Sequence, residues 1–443
     1  MTESVLPSES SRPPLQRLPA DHPLRGALHN EIHARPLENI PAPALVTQVV
    51  MLHEGASAAS ERDHLSVIGP AHDGGLFSRF DVGASRIRWE RHSEFSRYTF
   101  IEPIDARVVE AASPNLTSFR DLPQDWLSTL PGRMIAGIQL VVVEEPETPV
   151  QEWVDRGLHW FGHPNVVGSV LGSQYARVMA DYRLRKDGFI RFLVTGPRLP
   201  AARIGRVASR LIESEVYRMM ALLGFPVARQ LGSTLSRHEA ELAELTRRID
   251  DQQHDDQSLL AELNHLAAEL ESTIARQSFR FSASAAYATL MNSRIDELRE
   301  SPIHGLQSLG QFLDRRVTPA IATIAATERR MNGLAERVSR AGSLLRTKVD
   351  IVHEQQNQSL LERLTTGQRM QVKLQQTVEG LSVAAISYYV VGLLGYAFKA
   401  LRDLGAPIQV DVAIGLSIVP TVLLMAYLIR RVRHHVLGDP KRS

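Results

Sequence analysis

With no cysteine in the chain, disulfides, thiolate metal sites and a cysteine nucleophile are excluded, and chemistry must come from other side chains. The densest such cluster is His22-Pro-Leu-Arg-Gly-Ala-Leu-His29-Asn-Glu31-Ile-His33-Ala-Arg35-Pro36. On a helix, Leu24, Leu28 and Ile32 form a buried stripe, and His29 and His33 share a neighbouring face at a spacing that suits a metal ion. On a strand, His29, Glu31 and His33 share a face instead. The order is not that of the zincin helix, where Glu directly follows the first His. The plainer expectation is that these imidazoles hydrogen-bond neighbouring loops, with a metal or anion site as the alternative. A second cluster, Asp250-Asp251-Gln-Gln-His254-Asp255-Asp256, sets Asp251 and Asp255 four apart on a predicted helix. Like charges there cost a few tenths of a kcal/mol. Solvent, Arg247 and Arg248, or a divalent cation such as magnesium on the carboxylate oxygens would offset that cost.

A third set consists of hydroxyls and glycines in an apolar run: Ser382, Ser387, Tyr388, Tyr389, Gly392 and Gly395, with Ser417 and Thr421 further on. Such groups either line a polar path through a bilayer or let helices approach closely. The chain has no Gly-x-x-x-x-Gly-Lys phosphate loop and no Gly-x-Ser-x-Gly nucleophile turn. No catalytic residue is assigned, and the expectation is a non-enzyme.

The elements that hold these residues differ along the chain. Residues 1–20 are polar and rich in Pro and Ser, and read as a disordered tail. Residues 21–232 contain short runs rich in β-branched and aromatic residues: 45–52, 86–91, 98–102, 135–143 and 189–195. Two of them form an antiparallel pair around His92–Ser96, and helices are expected at 24–33 and 206–223, the latter stopped by Gly224 and Pro226. This half is expected to be an α+β domain with a mostly antiparallel sheet.

From 233 to 379 the pattern becomes helical. Leu259, Leu263, Leu266, Leu270 and Ile274 alternate steps of three and four. Met331, Leu334, Val338, Ala341, Leu345 and Val352 fit a heptad seam interrupted at Lys348. Thr318-Pro319 reads as a helix start. The expected shape is a helical hairpin or coiled-coil stalk, 234–300 returning through 319–398 after a turn near 302–310.

Two stretches without a charge follow, 19 residues at 380–398 and 18 at 412–429. Each approaches the roughly 20 residues that cross a bilayer. A short loop, 399–411, joins them, and 430–443 is a basic tail. Arg363, Arg369 and Lys373 precede the first stretch, and Arg430, Arg431, Arg433, Lys441 and Arg442 follow the second, whereas the loop has Lys399 and Arg402. The more basic flanks put both termini in the cytoplasm. Lys plus Arg is 50 against 49 for Asp plus Glu, a formal charge of +1, so no polycationic surface argues for nucleic acid.

Asn30-Glu-Ile-His-Ala-Arg-Pro36, Gly188-Phe-Ile-Arg191, Arg210-Leu-Ile-Glu213, Glu215-Val-Tyr-Arg218, Arg315-Arg-Val-Thr-Pro-Ala320 and the run from Leu374 to Tyr389 resemble the bacterial membrane-anchored proteins of domain of unknown function 3422. The resemblance covers the chain from about residue 20 and implies a membrane anchor, but supplies no activity. In architecture alone the chain also resembles the CorA-type magnesium channels, although it lacks their Gly-Met-Asn motif. The resulting expectation is a multi-pass protein of the bacterial inner membrane. Its expected partners are the lipid bilayer, further copies of itself and an unidentified protein. A divalent-cation channel or transporter is the alternative, and a metal-dependent enzyme using His29, Glu31 and His33 is a third reading.

Overall fold

The computed structural model describes residues 19, 21–26, 28–29, 38–70, 75–116, 118–172, 175–250, 255–405, 407 and 409–436. These divide into two units, Met1–Arg248 with Glu262–Ser339, and Ile249–Ala261 with Arg340–Ser443.

The first unit is built on a sheet of nine strands: β1 (Ala44–Leu52), β2 (Phe77–Val82), β3 (Ser85–Arg91), β4 (Phe95–Pro103), β5 (Arg133–Glu144), β6 (Val167–Leu171), β7 (Ala176–Ala180), β8 (Ile190–Gly196) and β9 (Glu300–Pro302). Their order is β2-β3-β4-β1-β5-β8-β7-β6-β9. β5 and β8 pair in parallel, and the other named pairs are antiparallel. The expected strands are therefore present, as is the β3–β4 hairpin. β2, β6, β7 and β9 were not expected: β6 and β7 are five residues each, and β9 only three.

Helices cover both faces. α1 (Ala58–Leu65) and α2 (Val150–Phe161) lie on one face, and α3 (Ala201–Leu222) on the other. Along β1 the side chains alternate accordingly, Val46 and Val50 joining the α3 core, and Leu45 and Val49 joining the cores opposite. A strand covered on both faces reads as a continuous apolar run, as Ala44-Leu-Val-Thr-Gln-Val-Val-Met-Leu52 does. The four tryptophans, Trp89, Trp126, Trp153 and Trp160, are all buried. Each indole N–H donates: Trp89 to Glu61, Trp126 to the His64 carbonyl, Trp153 to Thr195 and Trp160 to the Val108 carbonyl.

The expected helix does stop before Gly224, and Gly224 and Pro226 also open the next one. α4 (Gly224–Asp250) follows α3 directly, because proline in a first turn has no N–H to miss. Gly224 is also a close crossing, where a Cβ would stand 2.6 Å from Ser284 Oγ and 3.2 Å from Ile324 Cδ1. α5 (Asp256–Leu298) and α6 (Leu309–Asp403) follow. Among the described residues the expected two-armed hairpin is thus three helices, its first arm being divided between α4 and α5, with Asp255 outside both. Leu235, Leu242 and Leu245 on α4, Leu263, Leu266 and Leu270 on α5, and Met331, Leu334 and Val338 on α6 are buried. Arg330 of α6 pairs with Glu239 of α4 at 2.6 Å, and His238 of α4 lies 3.2 Å from Glu269 of α5.

The helix expected to start at Thr318-Pro319 starts at Leu309, and Pro319 lies inside it. The missing proline N–H costs about 3 kcal/mol in a helix interior. Burial of Leu313, Val317 and Ala320 around it offsets that cost.

In the second unit, Lys348 explains the interruption of the heptad seam. Its ammonium donates to the Ile249 carbonyl at 3.2 Å and to Asp256 Oδ1 at 3.0 Å. From Ile351 to Val378 every residue of α6 is exposed, although Leu360, Leu361, Leu364, Met370, Val372 and Leu374 are among them. α7 (Val410–Val436) is antiparallel to the end of α6, with Ile414 Cδ1 placed 3.2 Å from where a Gly395 Cβ would be.

Candidate functional site

The strand sequence Ser-Arg-Ile-Arg-Trp-Glu-Arg of β3 sends Ile87 and Trp89 to one face and Arg88 and Glu90 to the other. Register sets Glu90 opposite Arg97 of β4, and the two side chains form an ion pair beneath α3. Arg88 also pairs with Glu90. Arg97 reaches Glu213 of α3 at 3.2 Å, and Glu213 holds Arg294 of α5 at 2.6 Å. Arg210, one turn before Glu213, pairs with Glu297 at 2.9 Å. A cavity of about 50 Å³ adjoins this network, lined by Glu38, Gln48, Arg88, Glu90, Arg97 and Thr99 among others.

Burial works against the charge on Glu90, but Arg97 and Arg88 together outweigh it and hold the carboxyl below the ordinary glutamate range. Glu213 behaves alike: burial opposes its charge, and Arg97 and Arg294 more than offset this. Arg97 loses solvent too, yet Glu90 and Glu213 raise its pKa above the ordinary arginine value. The network is thus fully charged at neutral pH. It links β3, β4, α3 and α5 through interlocked pairs, an arrangement suited to fixing helices on a sheet.

A second carboxylate fixes the start of α6. Glu300 of β9 accepts from Ser169 Oγ at 2.7 Å, Ser308 Oγ at 2.8 Å, Leu309 N at 3.1 Å and Gly310 N at 2.9 Å. A negative charge there satisfies N–H groups that a helix cannot pair internally, and it complements the helix dipole. On the opposite face of the sheet, Glu61 of α1 takes hydrogen bonds from Trp89 Nε1, Ser96 Oγ and Arg91.

The residues singled out by spacing fall elsewhere. Glu31, His33 and Asp251 lie outside the described residues. His29 is exposed, and so are Leu24 and Leu28, which were expected to form a buried stripe. Leu28 N does donate to Leu24 O, a helical bond, but both side chains are more than half exposed. Asp255 precedes α5 and accepts from Gln257 N and Ser258 N, the pattern of a helix cap. Among the described residues, no group of three or more His, Asp or Glu is placed to hold a metal ion.

The apolar helices divide the hydroxyls between two faces. Ser387 and Thr421 are buried, in keeping with the antiparallel pairing that also sets Gly395 against Ile414. Ser382 is half-buried, and Ser417 donates to the Ile414 carbonyl at 2.7 Å. Tyr388 and Tyr389 point outward and are 78% and 71% exposed, with ring centroids 5.9 Å apart. With Gly392, Tyr396 and Lys399 they line an open groove of about 530 Å³. Of the two apolar windows, only 11% and 6% of the residues are buried by the chain itself. A core helix of a soluble domain would be mostly covered.

The family model for proteins of unknown function designated DUF3422 matches residues 20–436. The chain belongs to this family. No curated protein and no solved structure matches it. Several of the segments by which the chain resembles DUF3422 proteins place their charged residues in ion pairs, some of them buried. Arg210 and Glu213 belong to the network above, Glu215 pairs with Arg218 at 2.6 Å, and buried Arg191 holds Asp187 at 2.8 Å and the Pro114 carbonyl at 2.8 Å. Sequence reading missed Arg88, Glu90, Arg97 and Arg294 as a group. Only Arg88 and Glu90 left a signal, the alternation of charge with Ile87 and Trp89 in β3, which marks a strand whose second face is buried as well, and it does not show what they meet.

Proposed function

We propose that this DUF3422 protein is a multi-pass protein of the bacterial inner membrane that anchors a cytoplasmic sheet-and-helix domain and serves as a homo-oligomeric scaffold for another protein. One observation carries the reading: two successive helices, the end of α6 and α7, bear long apolar windows that the chain leaves almost wholly uncovered. Lipid is the solvent such surfaces match. The basic residues flanking the pair, against two in the connecting loop, favour both termini inside. The sheet domain then provides the recognition surface, and the charge network keeps its helices in place.

Three experiments test this. Alkaline carbonate should leave the full-length protein in the membrane pellet, and reporters fused after Asp403 and after Ser443 should report opposite sides. Release without detergent, or the same side for both, refutes the anchor. Purified protein in proteoliposomes should pass magnesium no faster than empty vesicles. Flux that Tyr388→Ala or Ser387→Ala alters would replace the scaffold with a cation channel.

A further inference from the structure

Leu360, Leu364, Gly367, Gln371, Leu374, Val378 and Leu381 follow one another in α6 at steps of four and three. This is a heptad stripe of about three turns of the repeat, and among the described residues it is left open: its leucines and valine are 55–73% exposed. The charged residues of the segment, Glu362, Arg369, Lys373 and Glu379, all fall on the far side of the helix, and only Arg363 borders the stripe. We propose that this stripe is covered by the same stripe of a second copy of the chain, in a parallel, in-register two-stranded coiled coil.

The proposal rests on the membrane reading for the direction of the two helices. α6 continues without a break from the stripe into its apolar window. Two anchored copies therefore present this segment in the same direction and at the same height, which an unrelated partner would have to match. Gln371 sits at a core position among apolar ones. A carboxamide both donates and accepts, so it can pair with its own copy at the same level, but only if the helices are parallel and unshifted. Gly367 lets the backbones approach one layer below. The absence of charge along the stripe, apart from Arg363 facing Gln368, means that like copies do not repel.

The chain contains no cysteine, so single cysteines introduced into full-length protein in its membrane report this geometry directly. Leu364→Cys, Leu374→Cys and Val378→Cys should each give a band of doubled mass on mild oxidation. Thr366→Cys, Lys373→Cys and Gln376→Cys, on the far side, should stay monomeric. In the Leu374→Cys background, Gln371→Glu should lose the doubled band and Gln371→Asn should keep it. No doubling at the stripe positions, equal doubling all round the helix, or a product of another mass would overturn the proposal. Carbonate extraction of the same membranes separates the two readings. Release defeats anchoring while the oxidation pattern still decides the stripe, and retention without doubling defeats the stripe alone.

Discussion

Replacing Arg97 with methionine tests whether the charge network holds the sheet domain together. The guanidinium is 8% exposed and lies between Glu90 and Glu213, which are 2% and 15% exposed. Methionine keeps most of the side-chain volume and removes the charge. Breaking a buried pair from one side costs about 3–5 kcal/mol, because the remaining charge stays out of water. Here Glu90 keeps Arg88 and Glu213 keeps Arg294. The lower end, about 3 kcal/mol, is therefore expected. All four tryptophans lie in this unit, so their emission during urea unfolding of the full-length protein in mild detergent reports this domain. With a urea slope of about 3 kcal/mol/M, the midpoint should fall by about 1 M. Arg97→Met combined with Glu213→Gln should cost less than the two singles added, by about 0.5–3 kcal/mol, because the second change removes a carboxylate the first left short of a partner. The pH dependence has a definite sign. Glu90 and Glu213 are held below the ordinary glutamate range, so their contribution is present above that range and is lost as pH falls through the lowered values. Arg97→Met should shrink this acid sensitivity. A midpoint within about 0.2 M of wild type would show that the network adds nothing to stability.

Gly205→Ala should destabilise the same domain by about 3 kcal/mol or more, since its Cβ would fall 1.6 Å from the Glu38 carbonyl oxygen; an unchanged tryptophan midpoint would refute that contact. Glu300→Gln should cost about 1–3 kcal/mol and speed amide exchange at Leu309 and Gly310, whose N–H groups the carboxylate now accepts; exchange as slow as wild type would refute the cap. His53 is lowered by burial and then by Arg91, with Glu61 partly opposing, and His64 by burial, with the Trp126 carbonyl opposing. The fold thus favours both in neutral form, and the unfolding midpoint should drop as pH falls from about 7.5 to 5.5, a slope that His53→Gln with His64→Gln should reduce.

The sheet's long strands were legible because β1, β5 and β8 are covered on both faces and so read as apolar runs. β6 and β7 were not: Val167-Gly-Ser-Val-Leu171 and Ala176-Arg-Val-Met-Ala180 are too short to show a period, and β9 exists only because Ser301 and its neighbours pair with β6 far back in the chain. The antiparallel bias also concealed the β5–β8 pair, whose parallel register depends on the intervening α2, β6 and β7. Histidine spacing pointed to His29, whereas the groups the structure assembles are arginines and glutamates from four different elements. No local spacing could reveal them, since Arg97, Glu213 and Arg294 meet only through tertiary packing.

Apolar residues at steps of three and four say that a helix has a partner, without saying whose chain supplies it. α6 shows both outcomes. Leu345 is fully buried, but Leu360, Leu364, Leu374 and Leu381, with equal side chains and equal spacing, are more than half exposed. From Leu345 to Val352 the step is seven, whereas from Val352 to Leu360 it is eight. Continued by sevens the first stripe would reach Ser359, and the matching position of the second is Leu364; five residues at about 100° each turn the stripe by about 140°. The later stripe therefore occupies another face of the helix from the one that runs from Met331 to Leu345. A continuous heptad would have called for one uninterrupted partner. A rotated one lets the chain satisfy the first stripe from within and keep the second for contact with another molecule, and Gln371 within that second stripe favours a like one.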